Sequence, residues 1–365
     1  MPSVLLAVAL AVLSPPAEPR SAPEGSLPPT QRAAAPTAGP AAPSVKAVRP
    51  LWKALPGERA LKAYGLITQC ESRRPSACGV LGAAYAAGSG VPRDDGIAAA
   101  LLESACKQGS PRQTPLACSA LGSLLARGQG VPRDLAWARA LQRGACTNGV
   151  TIGCAELGDL LLPASPEPAR DAEVVALYRQ GCEGDNAVGC NNLGWMLERG
   201  RGAPRELAKA RALYGRACER GLAVACKNLG VLHAASTRPQ ELAEAVRRLE
   251  PFCGPAEPAT CSLLGGVEER RGERQRALAA YGRGCAAGHA RSCNNQGWLL
   301  GLSRTPEDES RARALFEQAC DAGVGLACSN AATLAPPPRA DALNARACAL
   351  GVRGVCEPAD AAPAH

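Results

Sequence analysis

Cysteine, small and apolar positions recur along this chain at fixed spacings, separated by short polar stretches rich in Gly and Pro. The best-kept unit is 36 residues long, as from Cys146 to Cys182 to Cys218. Four residues after the second cysteine of a unit stands Gly: Gly82, Gly122, Gly158, Gly194, Gly230, Gly265 and Gly297. Six residues before the first stands Ala: Ala100, Ala140, Ala176, Ala212, Ala279, Ala314 and Ala342. Small residues at fixed helical positions are expected to let two backbones approach closely, which offsets the roughly 1 kcal/mol of helix propensity that each Gly costs. The punctuation GSGVPRD (88–94), GQGVPRD (128–134) and GRGAPRE (200–206) ends one helix and starts another. Gly suits the left-handed position after a helix, and Pro suits a first helical turn. Asp94, Asp134 and Glu206 then complement the positive end of the new helix. The pattern predicts helix A over about 77–87 and helix B over about 92–108, with that layout repeated. The fold class is all-α, an α-solenoid of antiparallel helix pairs.

The cysteines fall into nine pairs: Cys70/Cys78, Cys106/Cys118, Cys146/Cys154, Cys182/Cys190, Cys218/Cys226, Cys253/Cys261, Cys285/Cys293, Cys320/Cys328 and Cys348/Cys356. Eight pairs have seven residues between them, and Cys106/Cys118 holds the insertion KQGSPRQTPLA. On one continuous helix such a pair would lie about 12 Å apart, too far for a bridge that needs Cα atoms within about 7 Å. Gly221, three residues after Cys218, breaks the helix and lets the chain turn back. A bridge across one hairpin, Cys226 to Cys253, is also geometrically open. The local scheme is favoured because its separation is nearly constant and it leaves no cysteine unpaired. Each local bridge is worth about 2–3 kcal/mol in the chain-entropy model. Such staples persist outside a reducing cytosol, so the expected compartment is periplasmic or secreted.

Composition narrows the classes. Aromatics are 3 % of residues, so the core must be built from Ala, Leu and Val. The net charge of +8 comes mostly from scattered Arg, and no basic run interleaves with aromatics, so nucleic acid is not an expected partner. There is no C-x-x-C, and the three histidines, His233, His289 and His365, lie far apart, so neither a metal site nor a cofactor is suggested. The apolar run at 4–13 has signal-peptide length and is too short to span a bilayer, although no Lys or Arg precedes it. Residues 1–17 are therefore read as a signal peptide, 18–56 as a Pro/Ala-rich disordered linker, 57–356 as the repeat region and 357–365 as a tail.

The units LGAAYAAGSGVPRDDGIAAALLESACKQG (81–109) and LGWMLERGRGAPRELAKARALYGRACERG (193–221) resemble Sel-1-like repeats, relatives of tetratricopeptide repeats. The C-x7-C pairs resemble those of the cysteine-rich, Hcp-type Sel-1-like proteins, often labelled beta-lactamase-like. The resemblance covers residues 57–356 and implies a right-handed superhelix with a concave groove, disulfides across the helix corners, export, and protein or peptide binding. It also implies an alternative, binding or slow hydrolysis of penicillin-type compounds. The units decay toward the C-terminus, where the turn becomes AASTRPQ at 234–240.

Of the serine beta-lactamase motifs only S-x-x-K is present, as Ser104 to Lys107, and neither S-D-N nor K-T-G accompanies it. A chance match outweighs a nucleophile there. Asparagine recurs two residues after the second cysteine, at Asn192, Asn228, Asn295 and Asn330, with Asn191 and Asn294 preceding two of them. An amide at that position of helix A can bond both N–H and C=O of an extended peptide, and it can equally serve corner hydrogen bonds. Trp195 and Trp298 are expected to fill the core rather than line a groove. Arg93, Arg133 and Arg205 read as solvated turn residues, or as a row able to attract an acidic segment.

Overall fold

The structure, a computed structural model, describes residues 58–72 and 74–356; the signal, linker and tail segments lie outside them. Seventeen α-helices and no strand occur among the described residues. The chain divides after Ala225 into two compact units. The N-terminal unit holds α1 (Glu58–Glu71), α2 (Pro75–Ala87), α3 (Asp95–Gln113), α4 (Pro115–Arg127), α5 (Leu135–Thr147), α6 (Thr151–Leu161), α7 (Pro168–Glu183), α8 (Ala187–Arg199) and α9 (Leu207–Glu219). Beginning across the boundary, α10 (Ala223–Ala234) leads into α11 (Pro239–Leu249), α12 (Pro258–Arg270), α13 (Arg274–Ala286), α14 (Ala290–Gly301), α15 (Pro306–Asp321), α16 (Gly325–Thr333) and α17 (Pro337–Ala349). Even-numbered helices are the A helices and odd-numbered ones the B helices. Within the N-terminal unit α1 to α9 each pack on their neighbours in sequence, as α11 to α17 do in the other, and α4 also touches α2 and α6 as α6 touches α8, so the A helices α2, α4, α6 and α8 stand side by side.

One stripe of each B helix builds the core, but not the stripe carrying the recurrent Ala. Positions eight, four and one before the first cysteine are one helical face. They are Ala138, Gln142 and Ala145 in α5, Ala210, Tyr214 and Ala217 in α9, and Ala312, Phe316 and Ala319 in α15, all buried. The Ala six residues before the cysteine lies on the opposite side: Ala140, Ala176, Ala212, Ala279, Ala314 and Ala342 are exposed. Two residues from −8 is about 200° around a helix, so the expected close approach belongs to the buried alanines instead. On each A helix the recurrent Gly faces the −4 residue of the next B helix. A Cβ at Gly158 would lie 2.5 Å from the Tyr178 ring, and one at Gly265 would lie 2.5 Å from Tyr281.

Helix B of the first pair begins at Asp95, three residues later than the punctuation predicts. Pro92 lies outside the helix, and the Asp94 carboxylate accepts the Ile97 N–H at 2.9 Å, which makes Asp94 the N-cap. Asp134 does the same for Trp137 at 2.9 Å. Prolines do take a first-turn position at Pro115, Pro168, Pro258 and Pro306.

At the corners, the residue three after the first cysteine is left-handed: Gly149, Gly221, Gly288, Gly323 and Gly351 have φ between 82° and 88°, and Asp185 has φ 66°. The chain reverses there through paired backbone bonds, as in Gly149 N–H to Cys146 C=O (3.0 Å) and Val150 N–H to Ala145 C=O (3.0 Å). That reversal brings the flanking cysteines together. Cα–Cα distances are 4.4 Å for Cys182–Cys190, 4.7 Å for Cys70–Cys78 and 5.0 Å across the insertion, Cys106–Cys118. Cys146–Cys154, Cys253–Cys261, Cys285–Cys293, Cys320–Cys328 and Cys348–Cys356 close in the same way, and Cys218 and Cys226 are likewise disulfide-bonded. Cys253 is therefore bridged within its own corner rather than across a hairpin.

Candidate functional site

In the N-terminal unit a polar face runs across α4, α6 and α8. Asn192, half-buried on α8, donates from Nδ2 to Asp159 Oδ1 at 2.8 Å, and its Oδ1 accepts from Asn191 Nδ2 at 3.0 Å. The same Asp159 oxygen accepts the Tyr178 hydroxyl at 2.7 Å. Desolvation by the packed helices raises the Asp159 carboxyl above the usual range, opposed by these two donors, and the Tyr178 phenol is pushed far up by burial and by the carboxylate. One turn earlier on α6, Glu156 accepts from Ser123 and from the buried Gln142, with Arg127 at 3.7 Å. Its carboxyl is also raised, chiefly by desolvation. Gln142 is a polar occupant of a position that holds Tyr, Phe or Leu in most other repeats. It is satisfied by Ser119, whose hydroxyl donates to Gln142 Oε1 at 2.7 Å. Trp195, one turn beyond Asn192, lies beneath Arg199 and Arg201, whose guanidinium carbons are 5.0 and 6.0 Å from its ring centre.

The C-terminal unit repeats the theme with different partners. Tyr281 on α13 donates to Glu269 on α12, and the Asn295 amide on α14 lies near enough to the phenol to favour its ionised form. Asn294 donates from Nδ2 to Asn295 Oδ1 at 3.2 Å and accepts from Asn330 Nδ2 at 3.0 Å. Asn228 is half-buried on α10. Trp298, expected in the core, is 44 % exposed, as is Leu302 one turn on at 51 %. Asn295, Trp298 and Leu302 share one stripe of α14, and that stripe faces away from the α15 side chains that pack against Gly297.

The remaining candidates have ordinary partners. The Ser104 hydroxyl accepts from Gln108 Nε2 at 2.8 Å, and Lys107 pairs with Glu103 at 2.5 Å while lying 6.0 Å from the centre of Trp137. The lysine is thus turned to Glu103 and Trp137. His289 Nδ1 meets Ser292 Oγ at 2.9 Å, but Ser292 is wholly buried beside Gly284 and His289 is the N-cap of α14, which makes this a corner contact. Arg133 and Arg205 are not free turn residues: each donates from Nε to the C-terminal carbonyls of the preceding A helix, Ala126 at 3.1 Å and Glu198 at 2.9 Å. Arg93 pairs with Asp95 at 3.0 Å. Among the described residues no cluster of three metal-ligating side chains exists, and no helix is long and apolar enough to cross a membrane.

The Sel1 repeat family model matches residues 75–110, 115–141, 187–222 and 290–324. The chain carries Sel1 repeats at these four places. Its fold is similar to that of a protective antigen present in uropathogenic Escherichia coli strains and displaying an SLR fold, at 20 % identity and a TM-score of 0.61. The match covers 78 % of this chain and 63 % of that one, so the Sel1-repeat chain accounts for less than two thirds of its neighbour's length. Looser likenesses are to a Sel1 repeat protein from Oxalobacter formigenes (17 % identity, 71 % and 96 % of the two chains, TM-score 0.38) and to yeast Tom70 (13 %, 82 % and 62 %, 0.36). No curated protein matches.

The two long stretches between the matched residues, 142–186 and 223–289, contain connections that lack the GxGxPR punctuation. There an arginine from the following repeat takes over the orphan carbonyls. Arg201 Nη2 donates to Pro163 O at 2.5 Å, and Arg270 Nη2 and Nη1 donate to Ala234 O at 2.5 Å and Ser236 O at 3.3 Å. The layer of Asp159, Tyr178, Tyr281 and Glu269 behind the asparagines was not singled out in the sequence. Its signal was present, since Tyr178, Tyr214 and Tyr281 all stand four residues before a first cysteine.

Proposed function

We propose that this Sel1-repeat protein is an exported, non-enzymatic scaffold that binds a protein partner through an extended peptide segment. Within each unit such a segment is held by side-chain amides, Asn192 in the N-terminal one and Asn228, Asn295 and Asn330 in the other, with the periplasm or the extracellular space as the working compartment. The Sel1 repeat is in general a protein-interaction scaffold, and the disulfide set calls for an oxidising environment. The observation that carries the reading is the second polar layer. Asn192 is oriented by Asp159, which Tyr178 also bonds, and Asn295 by Asn294, so amides at one register of the repeat are held before any ligand arrives. Pre-orientation of this kind lowers the entropy lost on binding. In the Asn192 arrangement one amide N–H is spent on Asp159 and the oxygen accepts from Asn191, which leaves the second N–H and the second lone pair of the oxygen for a peptide backbone.

The test is selection of peptides from a display library on the full oxidised chain, followed by affinity measurement. Alanine at Asn192, Asn228, Asn295 and Asn330 together is expected to weaken a selected peptide by tenfold or more, on the order of 1 kcal/mol or above. Unchanged affinity overturns the reading.

A further inference from the structure

Two tryptophans occupy the same register, five residues after the second cysteine, and their surroundings differ in one respect. Trp195 is covered by guanidinium groups of its own chain, from Arg199 and Arg201, four and six residues further on. In the α14 repeat the matching residues are Leu302 and Arg304. Leu302 supplies no charge, and Arg304, exposed and left-handed at φ 52°, does not reach the ring. Among the described residues no cation lies over Trp298. Two further groups prepare the same place. Glu269 on the adjacent α12 accepts from Tyr281 and feels the charge of Arg274, with no ion pair within 4.0 Å among the described residues. Gly266, three residues before it, leaves space: a Cβ there would meet only the Tyr281 hydroxyl, at 3.6 Å. Tyr281, which donates to Glu269, lies near Asn295, one turn before Trp298.

We propose that the bare face of Trp298 takes an arginine side chain of the bound segment, its guanidinium stacking on the indole and directed toward Glu269 across the space left by Gly266. The chain itself shows the mode at Trp195, where planar guanidinium groups stack on the indole of the same register. The Glu269 carboxylate supplies the charge complement for that guanidinium. The inference rests on the peptide-binding reading, and it assigns the α14 repeat as the position that selects a basic residue in an otherwise backbone-read segment.

The experiment follows the Trp298 indole N–H signal, identified by Trp298→Phe, in the full oxidised chain. The probes are a blocked seven-residue alanine/serine peptide with one central arginine and its citrulline twin. The arginine peptide is expected to shift the signal saturably and to bind about two- to fivefold more tightly than the twin, the worth of an exposed cation–π contact. Trp298→Leu removes that preference and Glu269→Gln reduces it, with melting curves unchanged because both side chains are at least partly exposed. Equal binding of the two peptides, or a preference that survives Trp298→Leu, overturns the proposal. If equal binding is still weakened by Asn295→Ala, the peptide reading stands and only the arginine assignment falls. If neither peptide binds, the assignment falls together with the reading beneath it.

Discussion

Glycine serves this chain in two physically different ways, and the difference is measurable. Gly158 is in ordinary helix and is required by contact, since Tyr178 occupies the space a Cβ would need. Gly149 is required by conformation, with φ 83° and no atom within 4 Å of a would-be Cβ. Gly158→Ala is expected to destabilise by about 1–3 kcal/mol through overpacking. Gly149→Ala should cost about 1–2 kcal/mol through left-handed strain, and Gly149→Asn should recover part of that because Asn tolerates the region. Equilibrium denaturation without reductant checks both, and equal behaviour of Ala and Asn at position 149 would refute the conformational account. Glu156 gives a pH signature. Its folded-state carboxyl titrates above the unfolded value, so the folded chain binds the extra proton and stability falls as pH rises through that window. Glu156→Gln keeps an oxygen for Ser123 and for Gln142 and removes the buried charge. The variant should melt higher than the parent at pH 7, and the gap should close as pH falls toward 4. A gap that is constant with pH would mean that the charge is not the cause.

At the scale of elements, the connection between α6 and α7 depends on a residue far along the chain. Asp171, in the first turn of α7, is almost fully buried and pairs with Arg201 at 2.9 Å, and Arg201 also bonds the Pro163 carbonyl. Removing one partner of such a pair leaves an uncompensated charge. Arg201→Met should therefore cost about 3–5 kcal/mol, and adding Asp171→Asn should return part of it. Denaturation of the single and double variants measures both steps, and a double variant no better than the single would show that carbonyl capping, not charge, is the main loss. This contact also marks where sequence reading stops. Helix pairs, their corners and the local bridges were legible because glycine, proline and cysteine act within a few residues of themselves. The −8, −4 and −1 stripe was missed because alanine at −6 recurs just as regularly for another reason, favourable helix propensity on an exposed face. Trp298 was misplaced because register alone does not distinguish a ring that its own repeat covers from one left open. The acids behind the asparagines stand at different offsets in different repeats, five residues after the second cysteine for Asp159 and eight for Glu269, so no periodic signal announces them.

Over the whole molecule, stability is a sum of similar local terms. The buried set is dominated by Ala, Leu and Cys with few aromatic rings, so each repeat buries little apolar area by itself. The corner bridges act on the unfolded chain, each closing a short loop. Because a repeat touches only its neighbours, loss of one bridge should be felt locally. Replacing Cys182 and Cys190 together by Ala is expected to cost about 2–3 kcal/mol. Amide exchange should rise in α7, α8 and the helices packed on them, while α16 and α17 keep their protection. Exchange rising evenly through the chain would instead mean that it folds as one cooperative block, and that the repeat-by-repeat account is wrong. The same logic sets the compartment test. Alkylation of the oxidised chain without reduction should add no label, because all eighteen cysteines are bridged. Chain made in a reducing cytosol should take up label and lose cooperative melting, because no single repeat holds enough core to compensate for its missing staple. A chain that melts equally well with its thiols alkylated would show that packing alone suffices, and would remove the main physical reason for placing it in an oxidising compartment.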